Sequence, residues 1–118
     1  MIEKRKSPRV PVSIKVESGP IHDNFIFGYA RDISSTGISI SSEIVSSMDA
    51  IPNIGDKLTL SFKLPKSDHK ITVLAELVRV DLSEGELPVL GLTYTEIQQE
   101  SKVTINHYVS QTQMKLFA

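Results

Sequence analysis

The sequence predicts a mainly β domain, a small antiparallel barrel of six strands that a C-terminal α-helix closes or flanks. Alternating apolar and polar residues recur in six short stretches, clusters of Gly, Pro, Asp and Ser separate them, and only the last segment changes to helical spacing. A chain of 118 residues makes one domain with a single core, and a hydrophobic fraction of 40% is ordinary for a globular protein.

Residues 1–9 carry no apolar period, and Pro8 and Pro11 forbid a helix through them. This stretch reads as a solvated arm leading into the barrel of residues 10–118. From Val10 the period becomes two, with Val12, Ile14 and Val16 on one side and Ser13, Lys15 and Glu17 on the other. Ser18-Gly19-Pro20 breaks the run. Phe25, Phe27 and Tyr29 then alternate with small Gly28 and Ala30, placing the aromatics on one core-like face. Ile38 and Ile40 restart the alternation, so residues 23–41 read as a hairpin with Asp32-Ile33-Ser34-Ser35-Thr36-Gly37 at its tip.

Residues 42–56 form a connection with room for a helical turn around Ile44-Val45. Leu58, Leu60, Phe62 and Leu64 give the cleanest alternation, stopped by Pro65. Residues 71–80 return as a long strand, apolar on both faces and therefore expected to be central. The last strand runs from Val89 to Tyr94, and Gly91 within it signals a bulge or a close approach. Thr95 and Gln98 fit a capping box that opens a helix from about Glu96 to Gln113. Its buried side is expected to carry Ile97, Ile105, Tyr108, Val109 and Leu116.

Composition excludes several functions. A formal net charge of −1 supplies no basic field to hold a long nucleic acid, so any anionic ligand must be small and gripped locally. Cysteine is absent, which removes disulfides, thiol catalysis and cysteine-ligated metals. No apolar run approaches the roughly 18 residues of a membrane span, and Met1–Lys6 lacks a signal peptide's apolar segment. The expectation is a soluble, cytoplasmic protein.

No active site is visible, and no catalytic residue is assigned. His22, His69 and His107 fall in a loop, a turn and the helix without metal-ligand spacing, so no metal is expected. Ser34 has no base evident in the sequence, and Glu84 and Glu86 read as a solvated loop. Arg79 can point into the barrel mouth or to solvent, and the sequence leaves that choice open.

The remaining constellation is Arg5, Arg9, Asp32, Ser34 and Gly37. Taken alone, Asp, Ser and Gly between two alternations are turn chemistry, and an arginine cluster near a terminus is a solvated tail. Together, in this order, Arg-x-x-x-Arg ahead of the first strand and Asp-x-Ser-x-x-Gly further on resemble the PilZ domain family. Ile54-Gly55-Asp56-Lys57-Leu58, Val78-Arg79-Val80 and Leu90-Gly91-Leu92-Thr93-Tyr94 also resemble the family's later strands, so the likeness covers nearly the whole chain. Thr36 stands where many relatives have a second glycine, a variable slot of the motif.

The resemblance implies a six-stranded barrel that binds the bacterial second messenger cyclic di-GMP without catalysis or cofactor. Arg5 and Arg9 would grip guanine edges or phosphate oxygens, as arginine forks do and lysines do not. Asp32 would accept from the donor-bearing edge of guanine, Ser34 would donate or accept nearby, and Gly37 would let the turn bend and the ligand approach. The arm would become ordered on binding and the signal would pass to a protein effector. Lys4, just ahead of the first arginine, implies a stacked ligand pair that promotes dimerisation. Two other classes stay open: an adaptor acting through protein contacts without ligand, and an oligonucleotide-binding barrel, which requires a basic groove with stacking aromatics.

Overall fold

The computed structural model describes residues 7–19, 25–43, 52–83 and 85–116. Lys4, Arg5, His22, Asp23, the turn expected at Ile44-Val45, and Glu84 lie outside them. Six strands, β1 (Val10–Ser18), β2 (Phe25–Ile33), β3 (Gly37–Ser41), β4 (Lys57–Lys63), β5 (Lys70–Asp81) and β6 (Val89–Glu96), precede one helix, α1 (Gln99–Leu116). They close a barrel in the order β1-β2-β3-β6-β5-β4, every neighbouring pair antiparallel.

The alternation seen in sequence becomes the wall of this barrel. Val10, Val12 and Val16 of β1, Leu60 and Phe62 of β4, and Ile71, Val73, Ala75 and Leu77 of β5 are buried inward. Each of these Val, Leu, Ile and Phe side chains contributes about 1.5–3 kcal/mol by leaving water. The other face of β5 is the outer surface of the barrel. Leu74 is half-buried and Val78 exposed on it, whereas Val80, past the irregularity at Val78, packs against the core, so β5 has a strand neighbour on each side but only one buried face.

β2 departs from simple alternation. Val16 pairs with Gly28 and Glu17 with Ile26, so Phe27 is an extra residue, a bulge that reverses the side-chain phase. Phe27 turns into the core and Tyr29 turns out, 55% exposed, which divides the aromatic face expected from sequence. Gly28 is required there because a Cβ would overlap the Ser41 carbonyl oxygen. A second irregularity leaves Arg31 unopposed between the pairs Ala30–Ile40 and Asp32–Ser39. Ala30 and Ile33 both stay buried, and two consecutive polar residues, Arg31 and Asp32, are left outside the core.

The β1–β4 seam is short, with Glu17 opposite Ser61 and Ser18 opposite Leu60, reinforced by Ser18 Oγ donating to Thr59 O at 2.9 Å. Helix α1 reaches both sides of it. Tyr108 Oη donates to Pro11 O in β1 at 3.2 Å, and Ser101 Oγ lies 3.4 Å from His69 Nε2 beyond β4. Ile105 and Val109 enter the core cluster. The helix starts later than the capping box suggests. Thr95 belongs to β6, where its hydroxyl donates to Leu74 O, and the first helical bond runs from Lys102 N to Gln98 O. Strand pairing with β5 outcompetes the cap at Thr95. The helix also ends later, and Leu116 is exposed rather than packed.

Candidate functional site

The Asp32–Gly37 bend is built by its own side chains. Ser34 N donates to Gly37 O at 2.9 Å, and Ser34 Oγ accepts from Thr36 N at 3.2 Å and Gly37 N at 3.1 Å. The Ser34 hydroxyl is therefore buried and committed to turn geometry, the way serine stabilises a bend by bonding nearby backbone. Gly37 is needed for packing: a Cβ would overlap the Leu92 carbonyl oxygen of β6, and its φ lies outside the left-handed region. Tyr94 of β6 clamps the bend from outside the hairpin. Its N–H donates to Thr36 O at 3.0 Å, and its hydroxyl donates to Gly37 O at 3.1 Å, with Ser34 O at 3.4 Å. Although Tyr94 as a residue is half-buried, desolvation of its phenol end pushes its pKa well above the ordinary tyrosine value.

The arm meets this bend. Ser7 Oγ donates to Ser35 Oγ at 3.1 Å, and Arg9 Nη1 lies 3.9 Å from Asp32 Oδ1. That ion pair is too long for a hydrogen bond, and both side chains are about a third exposed. A surface pair of this kind contributes about 0–1 kcal/mol, so a better partner displaces it at little cost. Asp32 Oδ1 is nonetheless buried and accepts no hydrogen bond among the described residues. Ser7 and Arg9 of the arm thus lie against the Asp32–Gly37 bend, while Arg5 and Lys4 fall outside the described residues.

Outward from Asp32, the register lays one row across five strands: Pro11, Asp32, Ser39, Gly91 and Arg79. Ser39 is buried although it lies between the core residues Ile38 and Ile40. Arg79 follows an irregularity that leaves Val78 unopposed, and a Cβ on Gly91 would lie 3.3–3.5 Å from Arg79 Cβ, Nε and Cζ. The close approach signalled by Gly91 is thus made by the arginine side chain, which settles its direction. Arg79 Nε stands 2.8 Å from Asp81 Oδ2, but its N–H is not aligned on that oxygen and has no hydrogen bond among the described residues.

Two adjoining clefts open over this row. The larger, about 830 Å³, includes Arg9, Arg31, Asp32, Ser39, Arg79 and Asp81 in its lining. The smaller, about 310 Å³, runs over the bend and includes Ser7, Arg9, Thr36, Arg79 and Thr93. Arg9 and Arg79 line both. Arg31, Ser39, Arg79 and Tyr94 were not assigned from sequence. The sequence left the direction of Arg79 open and showed Tyr94 only as the aromatic of the closing strand, and nothing in it pointed to Arg31 or Ser39. Among the described residues no group of His, Cys, Asp and Glu could hold a metal, and no helix is long and apolar enough to cross a membrane.

A family model of the PilZ domain matches residues 3–111. The chain belongs to the PilZ domain family. The PilZ fold also appears in solved structures of low sequence identity. The Bacillus subtilis inhibitor of motility, MotI/DgrA, superposes with a TM-score of 0.80 at 21% identity, covering 97% of this chain and 53% of that one. The PilZ domain of YcgR from Escherichia coli, solved with c-di-GMP, gives 0.72 at 10% identity over 97% of this chain and 95% of that domain. The MrkH–c-di-GMP complex of K. pneumonia gives 0.67 at 13% identity, covering 98% and 55%. The chain thus spans about half the length of the motility inhibitor. A search of curated proteins gave no match.

Proposed function

We propose that this PilZ domain is a non-catalytic receptor for cyclic di-GMP that passes the signal to a protein effector. The observation that carries the reading is Asp32 Oδ1, buried and without a hydrogen bond among the described residues, beside the loosely paired Arg9 at the mouth of a cleft. A guanine edge offers N–H donors to that oxygen, and the arginine released from Asp32 can fork onto base or phosphate oxygens. Membership of the family and the cyclic di-GMP named with YcgR and MrkH support the choice of ligand.

In this reading residues 1–9 act as a gripping arm on the barrel of residues 10–118. Arg5 joins Arg9 on the ligand, Asp32 takes guanine, and Ser34 and Gly37 shape the wall against which it rests. The arm becomes ordered on binding and presents a changed surface to the effector. Lys4 favours a stacked ligand pair and with it a ligand-promoted dimer. The cytoplasm is the expected compartment.

Ordering the arm opposes binding, so affinity near micromolar, about −8 kcal/mol, is expected. Titration calorimetry with cyclic di-GMP and with other cyclic dinucleotides tests the assignment. Arg9→Ala is expected to lose about 1.5–3 kcal/mol, tenfold or more in affinity. Wild-type binding by that variant would overturn the role of the arm, and a stoichiometry of one ligand per chain would remove the stacked pair.

A further inference from the structure

We infer that Arg79 is a third ligand-binding arginine, closing with Arg9 on a phosphate of the ligand in the smaller cleft; this rests on the cyclic di-GMP reading above. The charge distribution divides the work between the two clefts. The lining of the larger one mixes Arg9, Arg31 and Arg79 with Asp32, Asp81 and Glu86, so it has no excess of positive charge for an anion. It does hold the Asp32 carboxylate that suits guanine. Among the described residues, the smaller cleft has Arg9 and Arg79 as its charged lining, with the hydroxyl-bearing Ser7, Ser34, Thr36 and Thr93 beside them. Two guanidiniums lining one cleft beside hydroxyl groups suit an anion, since planar forks match phosphate oxygens with paired hydrogen bonds.

Arg79 is held where that role needs it. Gly91 leaves its side chain a seat on the sheet, and the irregularity at Val78 sets its position in the row with Asp32. A purely structural role is poorly served by the same arrangement. Its partner Asp81 is an exposed neighbour two residues on, and a pair with side chains 40% and 54% exposed adds little to stability. Its Nε is buried and makes no hydrogen bond among the described residues, so the contact with Asp81 at that atom is electrostatic only.

Calorimetry with cyclic di-GMP on wild type, Arg79→Ala, Arg79→Lys and Arg9→Ala is decisive, with circular dichroism to confirm folding. Arg79→Ala is expected to weaken binding tenfold or more and to flatten its salt dependence, because one phosphate contact is gone. Arg79→Lys is expected to recover part of the loss by restoring charge without the fork. Gly91→Ala keeps the guanidinium but pushes it off its seat, and is expected to fall between Arg79→Lys and wild type. Should Arg79→Ala bind within twofold of wild type while Arg9→Ala loses tenfold, the assignment of Arg79 is wrong and the receptor reading stands. Should wild type not bind, the receptor reading itself fails.

Discussion

Tyr94 ties the Asp32–Gly37 bend to the barrel through two groups of one residue, its N–H on Thr36 O and its hydroxyl on Gly37 O. Tyr94→Phe keeps the ring and deletes the hydroxyl, and is expected to lower stability by about 0.5–1.5 kcal/mol, the net worth of a hydrogen bond. The effect depends on pH in a definite direction. Burial raises the phenol pKa in the folded state above the ordinary value of about 10. The folded state therefore keeps a proton that the unfolded state gives up, and stability falls as pH climbs beyond about 10. Below that value the stability from this residue is present in full. Melting temperatures of wild type and Tyr94→Phe should differ most near neutral pH and converge above pH about 10. A gap that stays constant up to pH about 11 would contradict the assignment.

At the scale of elements, the strands were legible because one-faced burial writes a period of two, and all six appear where the alternation put them. What the period could not show were the irregularities. The extra residue at Phe27 sends Tyr29 outward, and the one at Arg31 sets two polar residues side by side. Both depend on what the neighbouring strands offer, which lies outside any local pattern. The helix was legible in kind but not at its ends, because Thr95 finds a partner in β5 that a capping motif cannot anticipate. Its essential contact is Ile105, fully buried against the core beside a seam of two residue pairs. Ile105→Ala is expected to cost about 2–5 kcal/mol in urea unfolding. A loss below about 1 kcal/mol would mean that α1 is an appendage rather than a wall of the core.

For the whole molecule, the near-neutral charge means that the proposed ligand capture would depend on local placement of a few arginines rather than on a long-range field. Half of that placement was readable. Asp32 and Arg9 carry it in motif form, whereas Arg79 comes to the site only through the β2-β3-β6-β5 order of the barrel, which no spacing in the chain reveals. Because the site joins the arm, β2, β3, β6 and β5, a ligand seated there braces most of the barrel at once, and binding should appear as global stabilisation. At a free ligand concentration one hundred times Kd, mass action adds about 2.7 kcal/mol. For a domain of this size that raises Tm by roughly 10 °C. With Arg9→Ala weakened about thirtyfold, the same concentration adds only about 1 kcal/mol and a shift of roughly 3–4 °C. Scanning calorimetry of both proteins at one fixed cyclic di-GMP concentration reads the difference directly. Equal shifts would mean that the ligand stabilises the barrel without using the arm, and the convergence of Ser7 and Arg9 on the bend would then be packing alone.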